Sequence, residues 1–164
     1  MNTHRVIANL RALAARTSDA QGAQRVAWGP VWRDARSWLH DLLAEEGLRA
    51  ESDIAGNNWI TLRGARPDTV IIGGHLDSVP NGGWLDGPLG VLAGVEALCR
   101  FKGTIPPVTL AVVDFADEEG ARFSRSLLGS SAASGSLMPD SVRALVDRHG
   151  ARLVDVLAEN GVDL

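Results

Sequence analysis

The chain has 164 residues, 45% of them hydrophobic and 22% charged, with a formal net charge of −4. That length supports one domain with a real core, and the acidic balance argues against nucleic acid or an anionic membrane as a partner. No apolar run nears the ~20 residues of a membrane-spanning helix, and the single Cys99 cannot build a disulfide framework, which favours a cytoplasmic setting.

In chain order, Val6, Ile7, Leu10, Leu13 and Ala14 share one helical face and predict a helix over about 3–16. Arg5, Arg11 and Arg16, with no acid before Asp19, mimic a mitochondrial leader. Arginine is the dominant basic residue throughout the chain, so an ordinary first helix is the better reading. The polar stretch TSDAQGAQR follows. Pro30 suits the first position of a second helix, whose stripe is Trp32, Ala35, Trp38, Leu39, Leu42 and Leu43 and whose stop is Gly47. Trp28, Trp32 and Trp38 could form a stacking surface; the stripe favours core packing. Short strands are expected near 49–53 and 58–64. TVIIGG, 69–74, is a continuous apolar run that predicts a strand buried on both faces. A helix over about 88–101 carries Gly90 and Gly94 four apart, a smooth face for close packing on a sheet. PPVTLAVVDF predicts a second buried strand, and LLGSSAASGSL and two pieces after Pro139 predict further helix, the last capped by Gly161. The order implies an α/β fold with a mostly parallel, mixed sheet flanked by helices.

Two ionisable groups follow the buried strands: His75, Asp77 and Asp86, then Asp114, Asp117, Glu118 and Glu119. Strand ends of open α/β sheets gather ligands. If the two strands run parallel side by side, His75, Asp86, Glu118 and Glu119 meet at one rim. Imidazole plus carboxylates without thiolate suits zinc, manganese or cobalt. Asp77 could accept a hydrogen bond from the His75 nitrogen that does not bind metal. One of the paired glutamates would bind metal and the other take a proton from a bound water. Asp86 precedes a helix, whose dipole favours an ionised carboxylate. Singly, each motif also reads as a structural histidine, a turn or a solvated loop; their pairing on two strand ends is what raises the site above that. His4, His40 and His149 read as exposed or structural.

The segment GGHLDSVPNGGWLDGPLGVLAGVEAL, with DFADEEGARFSRSLLGSSAASG beyond the next strand, resembles the M20 superfamily of metal-dependent amidohydrolases. The eleven-residue step from His75 to Asp86 narrows the resemblance to the hydantoinase/carbamoylase branch, which holds N-carbamoyl-L-amino acid hydrolases, β-ureidopropionases and allantoate amidohydrolases. The resemblance implies a zinc-peptidase-like catalytic domain with two divalent ions (zinc, manganese, cobalt or nickel). Asp86 would bridge them, His75 would bind one, Glu119 would bind the other, Glu118 would be the general base and Asp77 would orient His75. It also implies a cis peptide bond after Asp86. The substrate would be a small ureido or amide compound; an aminoacylase or peptidase is the runner-up.

The chain departs from that pattern in length, since members run to roughly twice this size, in the two-domain range. Residues 1–164 thus read as the N-terminal part of an incomplete catalytic domain, without a lid and dimerisation domain or a C-terminal catalytic segment. Each metal would have two protein ligands where a catalytic zinc usually has about three. Weak metal binding, little activity and an uncovered apolar sheet edge inviting self-association or a missing second half are expected. A non-catalytic piece or a split-enzyme subunit is the alternative from another class. Trp84, Pro88 and Ser131 replace residues more usual in the family.

Overall fold

A computed structural model describes residues 2–163. Helix α1, Thr3–Thr17, starts where the Asn2 side chain accepts the Arg5 N–H, and it buries Val6, Leu10 and Leu13. Helix α2, Pro30–Glu45, has Pro30 in its first turn and buries Trp32, Ala35, Leu39 and Leu43 at intervals of three and four. Gly47, at φ +68°, ends it: the Gly47 and Leu48 N–H groups turn back to the Ala44 and Leu43 carbonyls. Trp38 lies partly buried against the same core.

Between these helices lies a feature the sequence reading left as polar loop. Strands β1, Ser18–Asp19, and β2, Gly22–Ala23, form a minimal antiparallel hairpin. Asp19 shapes its turn by accepting the Gln21 and Gly22 N–H groups.

The main sheet contains β3, Glu51–Ser52, β4, Asn58–Leu62, β5, Thr69–His75, and β6, Thr109–Phe115, in the spatial order β3-β4-β6-β5. It is mixed, as expected, but its parallel share is one pair, β5–β6; β3–β4 and β4–β6 are antiparallel. The β5–β6 register sets Gly74 beside Asp114 and His75 beside Phe115, so the two strands end together.

Helix α3, Pro88–Cys99, covers β5 and β6. A Cβ on Gly90 would lie 2.3 Å from the Gly73 carbonyl oxygen, so this approach needs glycine there; one on Gly94 would lie 2.8 Å from a Val112 methyl, the end of a side chain. Leu13, Leu39, Ile60, Val95 and Val112 meet in the core between the three long helices and the sheet. Each such burial is worth about 1.5–3 kcal/mol. A second core forms around Trp28, Trp32, Phe123, Leu128 and Leu157, with α4, Leu128–Ala133, α5, Pro139–Val142, and α6, Leu153–Glu159.

The expectation that β5 is buried on both faces is corrected. β5 is an edge strand, and Val70 and Ile71 are about half exposed. An unbroken apolar run records that a strand is apolar, not that neighbours cover it. No helix among the described residues is long and apolar enough to cross a membrane.

Candidate active site

The end of β5 is pinned to the end of β6 by Asp114, which has no solvent exposure. One of its carboxylate oxygens accepts the Leu76 N–H at 2.8 Å; the other stands 2.8 Å from Nε of Arg36 on α2. Arg36 also donates to the Asp114 carbonyl, and its guanidinium lies 4.1 Å from the Trp32 ring. This buried pair neutralises the carboxylate and fixes the chain directly after His75.

His75 is nearly buried. Its Nδ1 donates to the main-chain carbonyl of Asp77 at 3.0 Å, and its Nε2 stands 3.5 Å from a Glu118 carboxylate oxygen. The carboxylate of Asp77 stands 3.7 Å from Nδ1, beyond a hydrogen bond. It instead accepts the N–H groups of Glu118, at 3.2 Å, and Glu119, at 3.1 Å. The expected bond from the Asp77 side chain to the imidazole is therefore corrected. A carbonyl two residues away from the ring reaches Nδ1 more directly, and two main-chain amides claim the carboxylate. Burial pushes the Asp77 carboxyl up to about 6, against the pull of those amides and of His75.

The glutamate loop is itself held under strain. Asp117 sits at φ +52°, an uncommon conformation for a residue with a side chain. One Asp117 oxygen accepts the indole N–H of Trp28 at 2.8 Å; the other is buried with no hydrogen-bond partner among the described residues. Burial pushes this carboxyl up to about 7. Asn57, fully buried, accepts the Ala116 N–H and donates to the Gly129 carbonyl, bracketing the loop from both sides.

Asp86 is exposed, on the loop before α3. The next residue, Gly87, at φ +80°, packs its main chain on His75: a Cβ there would lie 2.2 Å from the His75 carbonyl oxygen and 2.6 Å from Nδ1. All described peptide bonds are trans, so the cis bond expected after Asp86 is not found. The Glu119 side chain is half-buried, and its main chain is the part fixed by Asp77. His75, Asp77 and Glu118 are thus brought into direct proximity, with Asp86 and Glu119 on the adjoining chain. Imidazole and carboxylates are the right kinds of donor for a divalent ion. Yet among the described residues no three His, Cys, Asp or Glu side chains gather closely enough to hold one. His4, His40 and His149 are exposed, as expected. A cleft of ≈ 430 Å³ lined by Trp32, Arg33, Arg36, His40 and Asn58 contains none of the five candidates.

The residue that sequence reasoning missed is Arg25. It lies in the polar stretch after α1 and is fully buried. Its Nε donates to the Leu76 carbonyl at 2.6 Å, and its main chain exchanges bonds with Ser78. Ala23 likewise pairs with Gly82. The stretch read as a loop is the floor under the His75–Asp86 loop. The available signal was alternate burial at Ala23, Arg25 and Ala27, and an arginine in an inward slot hides that alternation.

No protein-family model matches the chain. It is 39% identical over 146 residues to the N-carbamoyl-L-amino acid amidohydrolase of Geobacillus stearothermophilus, a match covering 87% of this chain and 36% of that protein. It is 35% identical over 149 residues to the allantoate amidohydrolase of Escherichia coli K12, covering 88% and 36%. Among solved structures, a hydantoinase/carbamoylase family amidase from Burkholderia ambifaria superposes with a TM-score of 0.89 at 31% identity, over 98% of this chain and 41% of that one. An amidase of the same family from Burkholderia phymatum gives 0.84 at 34% identity, over 99% and 40%. The chain thus spans little more than a third of the length of the relatives it matches by sequence. Agreement of sequence and backbone over nearly the whole of this chain leads to one conclusion: it belongs to the hydantoinase/carbamoylase family of amidases and corresponds to part of the length of its members.

Proposed function

We propose that this chain serves the hydrolysis of a linear amide or ureido C–N bond, of the N-carbamoyl amino acid, ureidopropionate or allantoate type, within the M20 superfamily. The observation that carries the reading is the His75–Glu118 pair at the shared end of β5 and β6, in a chain 39% identical to an N-carbamoyl-L-amino acid amidohydrolase. Glu118 takes a proton from the attacking water, whose oxygen adds to the substrate carbonyl. The tetrahedral adduct collapses with loss of the amine, and the protonated Glu118 returns its proton to the leaving nitrogen. A carbamoyl amino acid would yield the free amino acid and carbamate, which decomposes to ammonia and carbon dioxide. Asp77 positions the glutamates. A cytoplasmic setting accords with the lone Cys99.

His75, Asp86 and Glu119 are the residues this chain would contribute to a pair of divalent ions such as zinc or manganese. With two protein ligands for each ion, against about three in a catalytic zinc site, the isolated chain should hold metal weakly and turn over little. Metal analysis after dialysis checks this; two ions retained per chain would refute it. The shortage of gathered donors favours a second reading, that the chain is one part of an enzyme completed by further polypeptide.

The experiment for both is a chimera in which this chain replaces the matching segment of the Geobacillus stearothermophilus relative. Release of ammonia from N-carbamoyl amino acids or allantoate supports the reading, and Glu118→Gln should lower it by about 100-fold or more. Preferential turnover of N-acetyl amino acids would transfer the chain to the aminoacylases. Full activity of the Glu118→Gln chimera would remove Glu118 from the mechanism.

A further inference from the structure

Arg25 has no solvent exposure, and it touches both residues that flank Asp77. Nε donates to the Leu76 carbonyl at 2.6 Å, the Arg25 N–H donates to Ser78 Oγ at 3.0 Å, and the Arg25 carbonyl accepts the Ser78 N–H at 2.9 Å. Nη1 donates to Thr17 Oγ1 at 3.1 Å, and that hydroxyl is itself anchored on the Leu13 carbonyl in the last turn of α1. Leu76, Asp77 and Ser78 are all buried, and Asp77 is the acceptor for the main chain of both glutamates. A continuous set of bonds therefore runs from α1 through Arg25 to residues 76–78, and from Asp77 to Glu118 and Glu119. A guanidinium taken wholly out of water is costly, and a methionine would fill similar space without that cost. What the guanidinium adds is direction: it ties the Leu76 carbonyl, on one side of the carboxylate, to Thr17 at the end of α1, while the Arg25 main chain holds Ser78 on the other side.

We infer that Arg25 is a positioning residue for Glu118 and Glu119, acting through Asp77. The assignment rests on the hydrolase reading only in treating those glutamates as functional. Its test uses no turnover, so an inactive chain and a chain without this clamp are told apart.

The measurement is amide hydrogen exchange by NMR on the full chain. In Arg25→Met the Glu118 and Glu119 amides should exchange at least about tenfold faster, while the β4–β6 ladder changes by less than about twofold. Asp77→Asn should produce the same local loosening, and the double variant should add little to either. Unchanged exchange at residues 118 and 119, or an equal rise throughout the sheet, would overturn the assignment. Should Arg25→Met fail to fold, Arg25→Lys and Thr17→Val are judged by the same pattern. If neither Arg25 variant folds, the residue is a determinant of the fold and the positioning role falls.

Discussion

Asp147 accepts the N–H groups of His149 and Ala151 with one oxygen and the Arg122 Nε with the other. The Arg122 guanidinium, with those two amides, holds the carboxyl down to about 2. A carboxylate whose pKa is depressed by folding stabilises the native state above its unfolded value, near 3.8, and loses that contribution as the pH falls through the folded value. Urea unfolding followed between pH 6 and 2 should therefore show stability falling below about pH 4. Asp147→Asn should be less stable at pH 6 and flatter across that window; an unaltered acid limb would count against the pairing. Several candidate residues were legible at this scale. His75, Asp77, Asp86, Glu118 and Glu119 are chemically conspicuous after apolar runs. Arg25 and Asn57 were not, because a polar residue within a polar stretch looks solvated until something is seen to bury it.

Elements form here from local patterns but fit together through single atoms. Helix α3 shows it: the built Cβ of Gly90 meets backbone, the Gly73 carbonyl, whereas that of Gly94 meets the ends of Val112 and Ile72 side chains. Alanine in a helix gains about 1 kcal/mol over glycine. Against that, crowding a packed interface costs about 1–3 kcal/mol where side chains can shift, and more where they cannot. Gly94→Ala should thus be near neutral or mildly destabilising, and Gly90→Ala clearly destabilising, since α3 would have to lift from β5. Thermal unfolding by circular dichroism ranks the two, and equal losses would show that the helix adjusts freely. The long helices were readable nearly to the residue, and Gly90 and Gly94 marked the packing face. The β1–β2 hairpin was not readable, because two-residue strands carry no periodicity.

For the molecule as a whole, the order β3-β4-β6-β5 leaves β5 with one neighbour and a half-exposed Val70 and Ile71. Such an edge is a template for pairing with other chains. Ile71→Lys should lower light scattering on concentration without lowering the unfolding temperature, because that side chain is already half in water; unaltered scattering would acquit this edge. The apolar run TVIIGG had marked the strand, while its place at the margin follows from which strands of the chain pair with it.

The sequence by itself determined where the long helices and the longer strands lie, that two strands would end in acidic loops, and which side chains stand there. Those properties depend on spacing over a few residues, which the chain order carries. Only the tertiary structure decided that the Asp77 carboxylate turns to two glutamate amides rather than to His75, and that Arg25 lies beneath it. It also decided that β5 is an edge. A hydrogen bond is won by whichever group arrives within about 3 Å at the right angle, and for partners some forty or fifty residues apart that arrival is set by how the elements pack.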